Sequence, residues 1–365
     1  IRMTELSTLE YKLSATGLPS DTVHYRVAMP ELQGVSQPHI LALASSKKLD
    51  KTTGASITMS EVLTEEVICL QARVDAWLAL SVLDNADKKV AIVYYNHPPG
   101  RHNIGADNLD VQQSLWQILQ TLKTQGYNLG PEADFPKSAE ELLDLLQLKA
   151  VNLPQDAGAL NKMSPLINKM SVSEYQTYFD TLPEIVKAEM IDGPLGYLHA
   201  RIEFYLFQQG AKQLAQLPVI EQGSVLMALL DNVESTSIDL HHALDGIRHK
   251  GRDRALNLLA QLTQEYKRVI SLKLKNNAVL AQQFNQATKL KNALVDMQIE
   301  GIRGWGSAPG KTMVWNDDIL LPGVQFGNIF LGPQPPRGWE LNEELLHANM
   351  PFPPPHQYLA FYYHL

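Results

Sequence analysis

The chain has 365 residues and a mass of 40.7 kDa, enough for about two or three domains of ordinary size. Its net charge of −8 offers no basic surface for nucleic acid, and its one cysteine, Cys69, excludes a disulfide framework and a cysteine-based zinc site. The sequence carries no apolar run long enough for a membrane span and no recognisable secretory leader, so we expect a cytoplasmic protein.

Residues 1–154 alternate between strand-like and helix-like patterns. Apolar runs at 39–44 and 90–95 predict buried strands. Apolar residues at helical spacing predict a helix after each run, over 63–78 and 111–122. The cysteine lies inside the first of these helices and is expected in the core. This alternation predicts an α/β fold with mostly parallel sheet layers.

The rest of the chain divides into three regions of different composition. Residues 155–194 predict short helices and a linker. Residues 195–300 carry two long apolar stripes at helical spacing, with a break at Lys275–Asn277, and predict an inserted helical hairpin or bundle. Residues 301–365 are dense in glycine and proline but still carry aromatic residues, so they predict structured loops that return to the α/β domain.

The loop after the second predicted strand is the first candidate site. Residues 96–110 lie at the carboxyl end of a predicted parallel strand and lead into a helix that Asp110 can cap, with Gln113 three residues on. Open α/β sheets bind ligands at this edge, with free backbone N–H groups facing the crevice. The pattern is equally typical of a plain strand-to-helix connection that needs its prolines and glycines only for turns.

Two further motifs argue against other functions. Residues 305–312 end in Gly-Lys-Thr like a phosphate-binding loop, but Trp305 stands where that motif requires glycine and no strand precedes it. No ATPase is therefore predicted in this chain. His241 and Asp245 have the four-residue spacing of helical metal ligands, although a solvated helix end is the better interpretation.

The glycine- and proline-rich tail holds the other candidate site. The apolar run at 328–331 predicts a buried strand, and Gln334, Arg337 and His356 follow it on rigid loops. The tail and the first loop are stronger candidates for one functional site when they are considered together, because both carry motifs of one family.

Those motifs recur in the same order at both ends of the chain. The most specific is Tyr-x-x-Pro-Pro-Gly-Arg-His-Asn-Ile-Gly at 95–105. The remaining motifs lie at 26–32, 109–115, 126–127, 305–310, 325–328, 334–338 and 355–362. Jointly they resemble the large subunit of cobaltochelatase and the H subunit of magnesium chelatase. The residues at 98–105 of the first motif resemble the cobaltochelatase branch more closely than the magnesium chelatase branch.

The sequence also differs from the family pattern in two ways. About a hundred mostly helical residues separate the segments that match near 183 and 305, which implies that they are an insertion. Members of the family continue with a His-x-Gly-Thr-His segment after the motif at 355–362. The resemblance thus implies an internal fragment of a longer polypeptide, inactive by itself.

The implied function is insertion of a divalent metal, cobalt or magnesium, into a tetrapyrrole. The resemblance assigns ATP hydrolysis to separate AAA+ ATPase subunits, so ATP is used by partners and is not bound here. Two alternatives remain open at this stage. One is a chelatase-like protein that removes iron from haem, and the other is a non-catalytic module for tetrapyrrole binding or partner docking.

Metal insertion sets requirements that assign roles to particular residues. Two pyrrole N–H protons must leave and the metal must shed water, so His97 and His356 are the catalytic and metal-binding candidates. Arg101 and Arg337 can hold acidic or amide side chains of the macrocycle. The other candidates for tetrapyrrole binding are Asn103, Asn108, Phe326, Asn328 and Gln334.

Overall fold

The computed structural model divides into two compact units. The first unit consists of Ile1–Val82, Phe204–Ser235 and Tyr266–Leu280. The second consists of Leu83–Glu203, Thr236–Glu265 and Ala281–Leu365. The domain boundaries predicted at 154, 194 and 300 stay a prediction. The residues that the structure describes are 2–4, 6, 11, 18, 20–97, 99–105, 108–153, 156–247, 249–274, 279–299, 302–338 and 353–365.

A mixed sheet and a long helix make up the N-terminal part of the first unit. Strand β1 (Arg2–Thr4) runs parallel to β2 (Ile40–Leu49), and β2 pairs antiparallel with β3 (Ser56–Val62). The helical elements of this part are α1 (Ser20–Val23), a π-helical turn (His24–Ala28), α2 (Met29–Leu32) and α3 (Thr64–Val82).

Helix α3 confirms the helix predicted over 63–78 but not the burial expected of it. None of its residues is buried, and Trp77 and Leu78 are 60% and 61% exposed. The expectation that Cys69 is a core residue is wrong, because its side chain is exposed and the described residues leave the apolar stripe of α3 uncovered.

Two small sheets lie at the centre of the second unit. Their described strands are β4 (Val90–Tyr94), β5 (Asn168–Ser171), β6 (Val314–Trp315), β7 (Asp318–Leu321), β8 (Val324–Phe326) and β9 (Ile329–Pro333). In one sheet, β9 runs parallel to β4 and antiparallel to β8. In the other, β7 lies between β5 and β6 and is antiparallel to both.

The predicted α/β class is confirmed, but two of the described sheets are mixed and the third is antiparallel, so they are not mostly parallel. Among the described strands, the β1–β2 and β4–β9 pairs are parallel and the other pairs are antiparallel. The strands predicted at 39–44 and 90–95 are present as β2 and β4, but they belong to different sheets. An apolar run indicates a buried strand whatever the direction of its neighbours, so the sequence pattern overstated the parallel content.

Helices α4 (Val111–Thr124) and α5 (Ala139–Lys149) supply the core beside the β4–β9–β8 sheet. Leu119 and Leu142 are fully buried in one cluster with Ile329 of the central strand. Burying side chains of this size stabilises the fold by about 1.5–3 kcal/mol each. The helix predicted over 111–122 is thus confirmed, and its apolar stripe supports the strands that carry the candidate loops.

Side chains cap both helices at their N-termini. The cap predicted at Asp110 is confirmed, because its carboxylate accepts a hydrogen bond from the backbone N–H of Gln113 at 3.0 Å. Ser138 accepts from the N–H of Glu141 at 3.2 Å, and the Glu141 carboxylate accepts in return from the N–H of Lys137. At α4, an N–H group expected to face a ligand is therefore bonded to the chain's own carboxylate.

Helices dominate the chain from 157 to 295. The predicted apolar stripes are confirmed by buried Leu262 and Tyr266 on one long helix and by Phe284 on the next. The predicted break at 275–277 lies outside the described residues, and no described helix is long and apolar enough to cross a membrane. The helices are α6 (Ala157–Met163), α7 (Val172–Asp180), α8 (Glu184–Asp192), α9 (Pro194–Phe207), α10 (Gln209–Gln216), α11 (Val219–Gly246), α12 (Arg252–Leu274) and α13 (Leu280–Val295), with α14 (His356–His364) after the last strand.

Helix α9 carries a histidine that burial keeps neutral. The His199 ring stacks on Phe284 with the ring centroids 4.6 Å apart. Burial, and to a lesser extent the Lys291 cation, lower the pKa of His199 to about 4 against a smaller opposing effect of Asp192. Lys291 is itself paired with Asp192 at 2.6 Å.

We expect acid to destabilise the second unit through this histidine. The unfolded chain takes up a proton on His199 as the pH falls below about 6.5, whereas the folded chain does not until about pH 4. The free energy of unfolding should therefore fall by about 3 kcal/mol between these pH values. Denaturant unfolding at pH 7 and pH 4.5 measures this loss, which should be smaller in His199→Gln. An equal loss in parent and variant would contradict it.

Candidate functional site

A small cleft lies at the carboxyl ends of β4 and β9. Because these neighbouring strands are parallel, with Tyr94 opposite Pro333, the loops that follow them meet at one edge of the sheet. The cleft brings together His97, Gln334 and Arg337, three of the residues predicted for the site. The rest of its lining consists of Tyr95, Asn96, Pro99, Pro335 and Pro336.

The wall that follows β9 is held rigidly. The backbone N–H of Gln334 donates to the Tyr94 carbonyl at 2.7 Å and continues the ladder of the sheet. The two prolines that follow are buried and have restricted backbones. Gly338 then adopts a φ of +86° against the Trp305 ring, where a Cβ atom would overlap the ring. This approach requires glycine, and it fixes the direction of the segment that carries Arg337.

The wall that follows β4 is closed by a buried asparagine. The Asn96 amide nitrogen donates to the carbonyls of Gly100 and Asn103 at 2.9 and 3.1 Å. Its amide oxygen accepts from the backbone N–H of Asn152 at 2.8 Å. One side chain therefore closes the first half of the loop and joins it to the segment after α5.

Asn152 was not predicted from the sequence. Its side-chain nitrogen donates to the Gln334 carbonyl at 2.6 Å, and the residue is 1% exposed. The Tyr94 hydroxyl donates to the carbonyl of Ala150, which lies on the same segment as Asn152. The signal that could have identified Asn152 is a lone amide between Val151 and Leu153, because a buried polar side chain needs partners.

Three predicted binding residues lie on the same loop as His97 but do not line the cleft. Arg101 donates from Nη1 to the Gln147 carbonyl in the last turn of α5 at 3.1 Å. Asn103 helps to close the loop through its backbone, since its N–H donates to the Gly100 carbonyl. Asn108 is exposed two residues before the cap of α4. Tetrapyrrole binding by these three residues stays a prediction.

Two others lie away from the cleft. The Phe326 side chain is 3% exposed and packs edge-on against the Phe135 ring, with the centroids 5.7 Å apart. Asn328 stands at the opposite end of β9, where its side chain donates to the Ala86 carbonyl at 2.9 Å. The tight turn between β8 and β9 accounts for both placements, because it directs one residue into the core and the other towards the Ala86 carbonyl.

His356 is buried beneath the loop that carries Trp305. Its Nε2 lies 2.9 Å from the Gly306 carbonyl and its Nδ1 lies 2.9 Å from the Tyr175 hydroxyl. A carbonyl can only accept, so Nε2 carries the proton and Nδ1 accepts from the tyrosine. Burial lowers the pKa of His356, with a smaller opposing effect of the Gly306 bond. Both ring nitrogens are thus engaged inside the protein, and the catalytic and metal-binding roles expected of His356 stay a prediction.

We expect His356 to contribute mainly to stability. His356→Ala removes two hydrogen bonds and leaves a cavity, so the free energy of unfolding should fall by about 2–4 kcal/mol. His364→Ala, at the exposed end of the same helix, should change it by less than about 0.5 kcal/mol. Denaturant unfolding measures both values. Equal stability of the His356→Ala variant and the parent would contradict the structural role.

No closed metal site stands out among the described residues. His241 and Asp245 approach to 3.4 Å, but both side chains are more than half exposed. The part of the chain that the structure describes holds no cluster of three or more histidine, cysteine, aspartate or glutamate residues able to bind a metal. The cleft itself contributes one imidazole, that of His97.

The cleft combines groups of complementary chemistry. His97 is half-buried with its ring 5.7 Å from the Tyr95 ring, so an imidazole lies beside an aromatic surface. Arg337 is exposed at the mouth, where its cation can meet a carboxylate. Gln334 lies between rigid segments and donates to the Tyr358 hydroxyl at 3.4 Å. The arrangement suits a ligand with a flat apolar body and acidic or amide substituents.

The chain belongs to the CobN/magnesium chelatase family. The sequence model of this family matches residues 1–228 and 221–365, which together span the whole chain. The resemblance seen in the motifs is thereby confirmed.

Individual relatives agree with this membership. An uncharacterized protein of Methanocaldococcus jannaschii is 21% identical over 97% of the chain and 19% of its own length. The magnesium-chelatase H subunit of Chlorobaculum parvum is 33% identical over 35% of the chain and 9% of its own length. The aerobic cobaltochelatase CobN protein of a Sinorhizobium species is 24% identical over 50% and 14%. The chain therefore spans less than a fifth of the length of these relatives.

A solved structure shares the fold. The catalytic subunit of cobaltochelatase from Mycobacterium tuberculosis superposes with a TM-score of 0.51 at 17% sequence identity. The match covers 99% of this chain and 20% of that one. The described part of the chain thus shares its fold with part of that subunit.

Proposed function

We propose that the chain is part of the tetrapyrrole-binding large subunit of a metal chelatase that inserts a divalent metal into a tetrapyrrole. The observation that carries this proposal is the cleft that places His97 beside Gln334 and Arg337 in a member of the chelatase family. The cleft is far smaller than a macrocycle, so its residues contact only one edge of the ring.

The residues of the cleft have distinct roles in the proposed reaction. Arg337 binds an acidic or amide substituent of the macrocycle at the mouth of the cleft. His97 accepts one of the two pyrrole protons that leave as the metal forms its bonds to the ring nitrogens, and the other passes to solvent water; alternatively, His97 escorts the metal as it sheds water. Gln334 orients the macrocycle edge through its amide. Arg101, Asn103 and Asn108 act from the later part of the loop that carries His97.

ATP hydrolysis is assigned to partner subunits of the AAA+ class. Residues 305–312, which end in Gly-Lys-Thr, carry Trp305 in place of the glycine that a phosphate-binding loop requires. The proposed assembly therefore combines a tetrapyrrole-binding large subunit with separate ATPase subunits, and we place it in the cytoplasm. Cobalt is the favoured metal, because the motif at 98–105 resembles the cobaltochelatase branch more closely.

Absorbance titrations with the full-length protein test the proposal. Hydrogenobyrinic acid diamide, protoporphyrin IX and haem are titrated in turn, and then cobalt or magnesium is added with ATP and the ATPase subunits. We expect saturable corrinoid binding followed by ATP-dependent cobalt insertion. Tight porphyrin binding without corrinoid binding would contradict the cobalt assignment. Loss of iron from haem under reducing conditions would favour removal over insertion, and no binding at all would overturn the proposal.

A further inference from the structure

Two buried amides connect the opposite walls of the cleft. Asn96 belongs to the loop after β4, and its oxygen accepts from the backbone N–H of Asn152 at 2.8 Å. The side chain of Asn152 then donates to the carbonyl of Gln334, after β9, at 2.6 Å. Asn96 is 4% exposed and Asn152 is 1% exposed, so water does not compete for these bonds. We call this pair the amide bridge.

We propose that Asn96 and Asn152 are positioning residues, which set the spacing between His97 and Arg337 for the macrocycle. This inference rests on the proposed function of the cleft. Each candidate group lies within three residues of a bridge bond, because His97 follows Asn96 directly and Arg337 is three residues beyond Gln334. The bridge acts through these residues, and Asn152 itself does not line the cleft.

Stability alone does not account for Asn152. Its Oδ1 atom is buried and accepts no hydrogen bond in the described structure. A buried, unsatisfied acceptor costs free energy, and an apolar residue of the same size would avoid that cost. The amide nitrogen nevertheless makes a short bond across the cleft floor. Asn152 thus costs stability through its unpaired oxygen, while its nitrogen holds the segment after α5 to the loop after β9.

Two variants break the bond from the Asn152 side chain to the Gln334 carbonyl in different ways, and both keep the backbone N–H of Asn152 that donates to Asn96. Asn152→Leu keeps the size and removes both the donor and the unsatisfied oxygen. Loss of the unsatisfied oxygen offsets loss of the bond to the Gln334 carbonyl, so the denaturation midpoint should change little. Asn152→Asp keeps the shape and places an oxygen opposite the Gln334 carbonyl, and it serves as the second variant. Asn85→Leu is the matched control, because the Asn85 side chain also donates to a single distant carbonyl, that of Gln125, at 2.8 Å outside the cleft.

The measurements are the dissociation constants of protoporphyrin IX and hydrogenobyrinic acid diamide and the rate at which diethyl pyrocarbonate modifies His97, all in the full-length protein. We expect both Asn152 variants to bind the tetrapyrroles about tenfold more weakly than the parent. Diethyl pyrocarbonate should modify His97 several-fold faster in these variants. Asn85→Leu should match the parent in both measurements. Parent-like binding and His97 reactivity in both Asn152 variants would overturn the inference, as would a change in reactivity with unchanged binding.

The same design separates the two proposals. If the parent binds neither tetrapyrrole, the proposed function fails. The bridge is then judged on His97 reactivity alone, where an increase in the Asn152 variants but not in Asn85→Leu supports its control of the cleft and no increase overturns it.

Discussion

Replacing His97 with alanine in the full-length protein should lower the rate of metal insertion about 100-fold. A positioned base that accepts a proton in the transition state contributes about 100- to 10,000-fold to a rate, and the lower end suits a site where water can partly substitute. His97 is only half-buried, so water has access to the same position. The binding of the tetrapyrrole depends mainly on the other cleft residues, and its dissociation constant should change less than threefold. Single-turnover absorbance changes measure the rate, and titration measures the affinity.

His102 provides the matched control for this prediction. It lies five residues further along the same loop, is exposed, and does not line the cleft. His102→Ala should insert metal at the rate of the parent. Equal rates for His97→Ala and the parent would remove His97 from the reaction, and equal losses in both variants would indicate damage to the loop instead.

Replacing Arg337 with alanine should weaken tetrapyrrole binding about tenfold while the rate of insertion at saturation stays near that of the parent. A charge-assisted hydrogen bond contributes about 1.5 kcal/mol where the bound ligand excludes water, which corresponds to about tenfold in affinity. Because the guanidinium is exposed before binding, salt should screen part of this contribution. The difference between parent and variant should therefore shrink in high salt.

Lys311→Ala tests whether any lost cation has the same effect. Lys311 is exposed in the same glycine-rich region and lies outside the cleft lining. Its removal should leave the dissociation constant unchanged at low and high salt. A tenfold loss in Lys311→Ala, or no loss in Arg337→Ala, would contradict a specific role for Arg337.

The elements that carry the cleft could be predicted from the sequence because their signals are local. The strand at 90–95 is a short apolar run between turn residues, and Asp110 marks the start of the next helix. The strand at 328–331 and the rigid loop after it are likewise visible. That His97 approaches Gln334 and Arg337 follows once β4 and β9 are known to be parallel neighbours.

Other features depend on tertiary contacts that no local pattern encodes. His356 belongs to a matching motif, yet the structure bonds both of its ring nitrogens inside the protein, and Phe326 enters the core. Asn152 joins the two walls across 182 residues of sequence, so only the folded chain shows its role. Cys69 lies on an apolar stripe that predicts burial, whereas the described residues leave that stripe exposed.

The proposed function requires that the tetrapyrrole binds at the cleft between the loops that follow β4 and β9. Site-resolved modification of histidines with diethyl pyrocarbonate tests this requirement directly in the full-length protein. Saturating hydrogenobyrinic acid diamide or protoporphyrin IX should slow modification of His97 at least about fivefold and leave the exposed His241 unaffected. Unchanged modification of His97 at saturation with a tetrapyrrole that binds would contradict binding at this cleft.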